Sequence, residues 1–377
     1  MEMYRPTIKS NLWLGLMTLA FLALYCWSDS AIDNVPSKYY NEKMEAAKNM
    51  SEALEILTEY RLPKLNQAQE SERVNSLVYT MLGEKDSPIT TDEGNIEDKI
   101  TVLNPNFAAA TVDLLMEAGV QRNDTIAVLL TGSMPGANVA LFSALKAIGA
   151  HPVIITSVGS SWWGANAVDF TWLDMEHALE QHGIFDYNSI AASVGGSDDE
   201  GGLRLSAQGR SLIIDAINRN GAIFIHEGSL SKNIDARITV FERQLPIRNY
   251  KAVVNIGGGI ASIGHAKNGS LIPTGISKPL PIRNYPNLGV VHRFTSEGVP
   301  VIHIWDVRKI AKEYDLPIAQ LPLPIAGQGK VFMEERYNLF VATLALAFMF
   351  VILVIVKYFD HKKFKWREEK IDPDTIV

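Results

Sequence analysis

The stretch LFVATLALAFMFVILVIV, Leu339 to Val356, carries no charge and a single hydroxyl, that of Thr343. A helix rising about 1.5 Å per residue needs roughly 20 apolar residues to cross the hydrocarbon core of a bilayer. A core helix of similar length in a soluble domain keeps a polar face. The stretch therefore reads as a transmembrane helix over 338–357, followed by a basic tail over 358–377. A second run, Leu12 to Trp27, is apolar apart from Thr18. It reads as another transmembrane helix, 12–28, with Tyr25 and Trp27 at the interface. A cleaved signal peptide is the alternative, because Ser28-Asp29-Ser30 has the small-x-small form of a cleavage site. Lys357, Lys362, Lys363, Lys365, Arg367 and Lys370 follow the second run, and Arg5 and Lys9 precede the first. The positive-inside rule then places residues 1–11 and the tail in the cytoplasm and the chain from Ser28 to Asn338 outside.

That intervening chain has the make-up of a folded domain. The protein is 47% apolar and 20% charged, with a net charge of −7. An acidic balance without a basic stripe argues against nucleic acid as a partner. Cys26 is the single cysteine, which excludes an intrachain disulfide and a cysteine-based zinc site. No histidine pair has the spacing of a zinc helix, and no Gly-x-x-x-x-Gly-Lys-Ser/Thr is present, so neither metal nor cofactor is expected.

Two textures divide the outer part. Met44, Ala47, Met50, Leu54 and Leu57 make one stripe of a helix over Tyr40–Tyr60, ended by Pro63. Val74, Leu77, Val78, Met81 and Leu82 suggest a second helix, so 29–85 reads as a helical juxtamembrane segment. From Ser87 on, short apolar runs alternate with helical ones. Strands are predicted at Thr125–Leu130, Pro152–Thr156, Ala222–His226, Ala252–Asn255 and Val301–Trp305. Helices are predicted from Asn104-Pro105 to Gly119, and over Met134–Ile148, Ser206–Asn218, Ile234–Arg243 and Val307–Tyr314. Apolar strands alternating with helices imply a doubly wound, mostly parallel, Rossmann-like α/β domain over 86–330.

In such sheets ligands bind beyond the carboxyl ends of the strands. The residues following the predicted strands are polar or glycine: Gly132, Ser133 and Asn138; Ser160, Ser161, Trp162 and Trp163; His226, Glu227 and Ser229; Asn255, Gly257, Gly258, Gly259 and Ser262. Amides at a helix start after Ser133, together with the hydroxyls and the glycine run, suit an anion such as a carboxylate. Ser133 also stands where a hydrolase nucleophile would, but in Gly-Ser-x-x-Gly rather than Gly-x-Ser-x-Gly. Gly257-x-Gly259-x-x-Ser262 is a weak dinucleotide match. His226 and Glu227 are candidates for acid–base work. Asp174 and Glu176 read as capping residues of a helix that ends at Gly183. The hexamer LPIRNY occurs at Leu245–Tyr250 and at Leu280–Tyr285, through coincidence, local reuse of a motif, or a paired ligand role for Arg248 and Arg283.

The stretches ITTDEGNIEDKITVLNPNFAA, TGSMPGANVALFSALKAIGAHPVIITSVGSSWWGANAVDFTWLDME and VVNIGGGIASIG resemble the poly-gamma-glutamate system protein family, over about Ser87 to Asp306. Here Met134-Pro135-Gly136-Ala137-Asn138 departs from the family's Pro-Ala-x-Asn after the Gly-Ser turn. The resemblance implies a bacterial plasma-membrane protein encoded with the capsule-type poly-γ-glutamate machinery, with other membrane subunits as partners. It transfers no catalytic residue. Two roles stay open. One is an accessory protein whose outer domain binds an anionic γ-glutamyl chain end. The other is an extracytoplasmic hydrolase or transferase of γ-glutamyl bonds, with Ser133 or Ser160 as nucleophile, His226 or Glu227 as base and the Gly257–Gly259 amides as oxyanion site.

Overall fold

The computed structural model describes residues 11–62, 76–202 and 204–368. The chain divides into two compact units, one formed by its two ends and the other by Ser37–Phe332.

In the first unit, helix α1 (Asn11–Ser30) leads into strand β1 (Ile32–Pro36). β1 pairs antiparallel with Met333–Tyr337, Ile32 opposite Tyr337 and Pro36 opposite Met333. Asn338 fixes the end of this ribbon: its amide donates to the Ala31 carbonyl and its side chain to Asp33 Oδ2, both at 2.8 Å. The C-terminal helix Leu339–Glu368 then begins beside the end of α1, and the two helices are in contact. Among the described residues one helix is long and apolar enough to cross a membrane, Leu339–Phe359. The expected second span is represented by a shorter apolar helix, Leu14–Ser30, which at about 1.5 Å per residue falls short of a core of about 30 Å. The expected cytoplasmic N-terminus and the end of the basic tail lie outside the described residues.

The second unit begins earlier than residue 86. Helix α2 (Tyr40–Arg61) is part of it, and so is the short α3 (Ser76–Met81). Val74, the first residue of the stripe that suggests this helix, lies outside the described residues. Next come β2 (Thr90–Asp92), α4 (Ile96–Thr101), α5 (Phe107–Glu117), β3 (Thr125–Thr131), α6 (Pro135–Ile148), β4 (His151–Ser157) and β5 (Ser160–Ser161). A small hairpin of β6 (Asn166–Ala167) and β7 (Phe170–Thr171) leads to α7 (Trp172–Gln181) and β8 (Ser189–Ser193). The remainder is α8 (Ala207–Arg219), β9 (Ile223–Phe224), α9 (Leu230–Gln244), β10 (Val253–Ile256), β11 (Gly275–Ser277), α10 (Val290–Ser296), β12 (Val301–Ile304) and α11 (Val307–Glu313). Asn104 does not cap a helix. Its side chain accepts the Asn106 amide at 3.0 Å in a turn, and α5 starts at Phe107.

Among the described residues seven strands form one sheet in the order β11-β12-β10-β3-β4-β8-β9, parallel except for the edge strand β11. The chain winds outward from β3 through β4, β8 and β9, then returns to the other side of β3 with β10. The order therefore reverses between β3 and β10, the place where open sheets leave a crevice. Period-two alternation fills both faces. Ile126, Val128, Leu130, Val254 and Ile302 face one core, with residues of α2, α5, α6 and α7. Ala127, Leu129, Val253 and Val301 face the other, with α9 and α10.

On the first face α6 is covered in turn by α2, so it is buried all round except near Lys146. PGANVALFSALKAI has no charge before Lys146, as a helix enclosed on all sides requires. The buried Lys43 of α2 pairs with Asp113 of α5 at 2.7 Å and donates to Ser37 Oγ and the Val331 carbonyl.

α7 sets Asp174 and Glu176 to different tasks. Asp174 closes a capping box with Thr171 and binds Arg219 and Asn220. Glu176 is no cap: it is buried beneath β8, accepting the Ser189 amide at 2.8 Å and bonding the Ser189 hydroxyl at 2.9 Å. Burial raises its carboxyl to about 8. The folded state thus keeps a proton that the unfolded chain has lost above about pH 4.5, so stability falls as pH rises from there to about 8. We expect Glu176→Gln, which retains both hydrogen bonds, to flatten that fall and to be the more stable protein at pH 9 by on the order of a few kcal/mol. Thermal melts of both proteins in detergent between pH 5 and 9 measure this. A wild-type melting temperature independent of pH, or equal slopes for the two, contradicts it.

Candidate functional site

A cleft of about 1270 Å³ opens at the reversal point of the sheet. Thr131, the last residue of β3, lines it with Ser133 and Met134; Ser157, the last residue of β4, lines it with Gly159 and Ser161; and Gly257–Gly259 follow β10. Asp92–Asn95 and Lys99 come from the β2–α4 region, and Trp305 and Asp306 from the end of β12. Among the described residues no group of three acids, histidines or cysteines could hold a metal ion.

Five of the predicted binding residues line this cleft: Ser133, Ser161, Gly257, Gly258 and Gly259. Gly257 has φ +82°, and a Cβ there would stand 2.4 Å from Thr131 Oγ1, so the turn after β10 can pass the end of β3 only as glycine. The four-residue helix after Gly259 is too short to support a dinucleotide-type anion site.

The other predicted residues lie elsewhere. Ser160 is fully buried and donates to the Gly132 and Ser161 carbonyls at 3.0 Å, which leaves it no route to a substrate. Gly132 packs against the Val158 carbonyl. Asn138 is buried and donates to the Thr131 carbonyl, bracing the turn from beneath. Asn255 is buried between the Gly257 carbonyl and His303. Ser262 is buried outside the lining. His226 pairs with Glu200, not with its neighbour Glu227, which is exposed like Ser229. Trp162 lies under Lys85 and does not wall the cleft; Trp163 packs against the main core. The two LPIRNY copies part as well, since Arg283 lines the cleft whereas Arg248 sits on a surface turn.

Two buried groups were missed. The first is Lys99 on α4, 4% exposed. Its Nζ lies 2.8 Å from Ser161 Oγ, bonds the Ser133 carbonyl and touches Met134 Sδ at 3.6 Å. Burial pushes its ammonium down to about 8, Asp98 opposing. Ser161 in turn donates its amide to Ser133 Oγ at 3.0 Å. A lysine flanked by Glu97 and Asp98 reads as solvated, so no sequence signal pointed to it.

The second is the pair Arg237 and Asp199, exposed by 1% and 0%. The guanidinium holds both carboxylate oxygens, at 2.7 and 2.9 Å. Ser193 Oγ donates to Asp199 Oδ1 at 2.8 Å, and Ser157 Oγ, beneath the cleft, completes the cluster. Burial pushes the Asp199 carboxyl up against the pull of Arg237. The pair holds the loop after β8, in which Asp199 itself has φ +67°. Here a signal existed. Asn233, Ile234, Arg237, Val240 and Phe241 share one stripe of α9, and an arginine within an apolar stripe implies a buried partner.

Compared with known proteins, the chain matches no family model, no curated protein and no solved structure.

Removing one member of a buried ion pair leaves the other uncompensated, at a cost of about 3–5 kcal/mol. Arg237→Met should destabilise the protein by about that amount. Arg237→Met combined with Asp199→Leu should cost less than the single change. Chemical denaturation of the three proteins tests this, and a double variant less stable than Arg237→Met would count against it.

Proposed function

We propose that the chain is a membrane-anchored accessory protein of bacterial poly-γ-glutamate synthesis or export, and that its α/β unit binds a γ-glutamyl chain end through its carboxylates. The observation that carries this reading is the cleft, where Ser133, Ser161 and the buried cation Lys99 meet the glycine turn 257–259 at the reversal point of the sheet. Arg204, Arg283 and Lys309 add positive charge to the lining, Asp92, Glu93 and Asp306 negative charge. A lining of both signs suits a short end bearing carboxylates and an ammonium better than a long polyanion. The motif resemblance supplies the pathway. The other membrane subunits of the polymer machinery are the proposed partners.

The apolar helix Leu339–Phe359 anchors the chain in the plasma membrane in this reading, and α1 crosses beside it with the bilayer thinned around its shorter apolar run. The ribbon that brings the end of α1 next to the start of the C-terminal helix supports two crossings with both termini on one side. The basic residues after Val356 favour the cytoplasm for that side.

Deleting the gene in a producing strain should lower or mislocate the polymer; unchanged amount, length and location would reject the pathway. In titrations of the detergent-solubilised protein, short γ-glutamyl oligomers should bind, and Lys309→Glu should weaken them by about tenfold at low salt and less at high salt. Absence of binding would reject the ligand.

For topology, a cysteine replacing the fully exposed Ile282 in a Cys26→Ser background should react with an impermeant reagent in intact spheroplasts. One at Thr375 should not. Labelling at Thr375 alone would invert the orientation.

A further inference from the structure

Among the described residues, Lys99 is the one buried cation around the cleft that no carboxylate holds. Arg237, by contrast, grips Asp199 through two hydrogen bonds. Asp98, the acid whose charge acts on Lys99, is already paired with Arg308 at 2.6 Å. Asp92 and Glu93 stand on the approach to α4, and the residues that touch Nζ, namely Ser133, Met134 and Ser161, carry no charge. A carbonyl, a hydroxyl and a thioether are a poor shell for a permanent ammonium. They are an adequate one for an amine that gains and loses a proton, the habit of buried lysines.

The hydroxyl beside that amine is placed for attack. Ser161 Oγ lies 2.8 Å from Nζ and lines the cleft. Gly94 packs against the pair: a Cβ there would come 2.6 Å from the Trp162 carbonyl, 3.0 Å from Ser161 Oγ and 3.3 Å from Lys99 Cε, so glycine leaves the two groups undisturbed. Ser133 Oγ accepts the Ser161 amide, which leaves its own proton available to an oxygen bound next to Ser161.

From this geometry we propose that Ser161 and Lys99 are a nucleophile–base pair, and that the cleft performs acyl transfer on a carboxylic amide or ester. It uses the same cleft as the reading above but does not require the ligand to be γ-glutamyl. Ser161 Oγ bonds to the carbonyl carbon while its proton passes to neutral Lys99 Nζ. The resulting oxyanion collapses, the carbon–nitrogen or carbon–oxygen bond breaks, and the leaving amine or alcohol takes the proton from Lys99. Water, or the amine of a second chain, then attacks the acyl-Ser161 ester. Its proton passes to Lys99 and on to the departing Ser161 oxygen. Water gives hydrolysis and an amine gives transfer.

The test uses a fluorophosphonate, which a nucleophilic serine attacks with loss of fluoride, on the full-length protein in detergent. Peptide mapping should find the adduct on Ser161. Labelling should be lost in Ser161→Ala, and should slow by about a hundredfold or more in Lys99→Met. In the wild type the rate should rise about tenfold per pH unit through the acid range and level off above about pH 8, where burial places Lys99. No adduct on Ser161, an adduct on another serine alone, or an undiminished rate in folded Lys99→Met would overturn the proposal. If Lys99→Met does not fold, the wild-type profile decides, and a flat one overturns it. A Ser161 adduct in a protein that binds no γ-glutamyl oligomer would leave the pair standing and reject the ligand.

Discussion

The fold rests on the enclosure of β3, which pairs with β4 on one side and β10 on the other and is covered on both faces. No side chain from Ile126 to Leu130 can carry an unpaired polar group. Polar chemistry is therefore displaced to the strand ends, and the amino ends are taken up by tight connections such as Asn123–Asp124 and Lys251. The carboxyl ends remain. Because the winding direction changes at β3, the loops after β3 and β10 diverge and a cleft opens between them. The second helical layer of α2 serves the same enclosure. By covering α6 it lets that helix be apolar on every side, which in turn seals the first face of the sheet.

Around that cleft the protein treats two buried cations in opposite ways. Arg237 receives a carboxylate with matching fork geometry, and the pair is a fixed part of the fold that holds the loop after β8. Lys99 receives only neutral acceptors. A lysine is the group for which this matters, since its proton is removable within the range that burial commands, whereas an arginine would stay charged. The contrast separates a buried charge that organises a loop from one that can take part in chemistry.

The elements legible in the sequence were those governed by one strong pattern. β3, β4, β10 and β12 are apolar runs, α8 has its Ser206 cap, and the apolar helix Leu339–Phe359 announces itself by length. β8 escaped notice because SIAAS is small and half polar; its Ser189 is tolerated only through Glu176 and Thr156, from other elements. The site was legible to the level of its loops. Ser161, Ser133 and the glycine run lie where a parallel sheet must put them. Which hydroxyl faces the cleft was not, since Ser160 and Ser161 differ only in the direction a two-residue strand gives them. Lys99 was invisible because its burial depends on contacts across more than sixty residues of sequence.

Those contacts explain the two tryptophans that follow Ser161. Their side chains do not enter the cleft, but their backbone binds the segment before α4. The Trp162 amide donates to the Asp92 carbonyl at 3.1 Å and the Trp163 amide to the Glu84 carbonyl at 2.9 Å. Asn166 adds bonds to both backbone groups of Glu84, and β2 pairs with β5, setting Thr90 opposite Ser160 and Asp92 opposite Ser161. Trp163 turns the chain with φ +63°, a conformation that costs a bulky residue free energy and persists where surrounding bonds enforce it. Its ring packs on the main core, and Lys85 lies over that of Trp162. The large indoles thus weight a stitched seam between residues 83–95 and the loop after β4. Seven residues beyond Asp92 the same segment delivers Lys99 to Ser161, so the seam sets the register between the two groups, and a slip there would part them while leaving the central sheet intact.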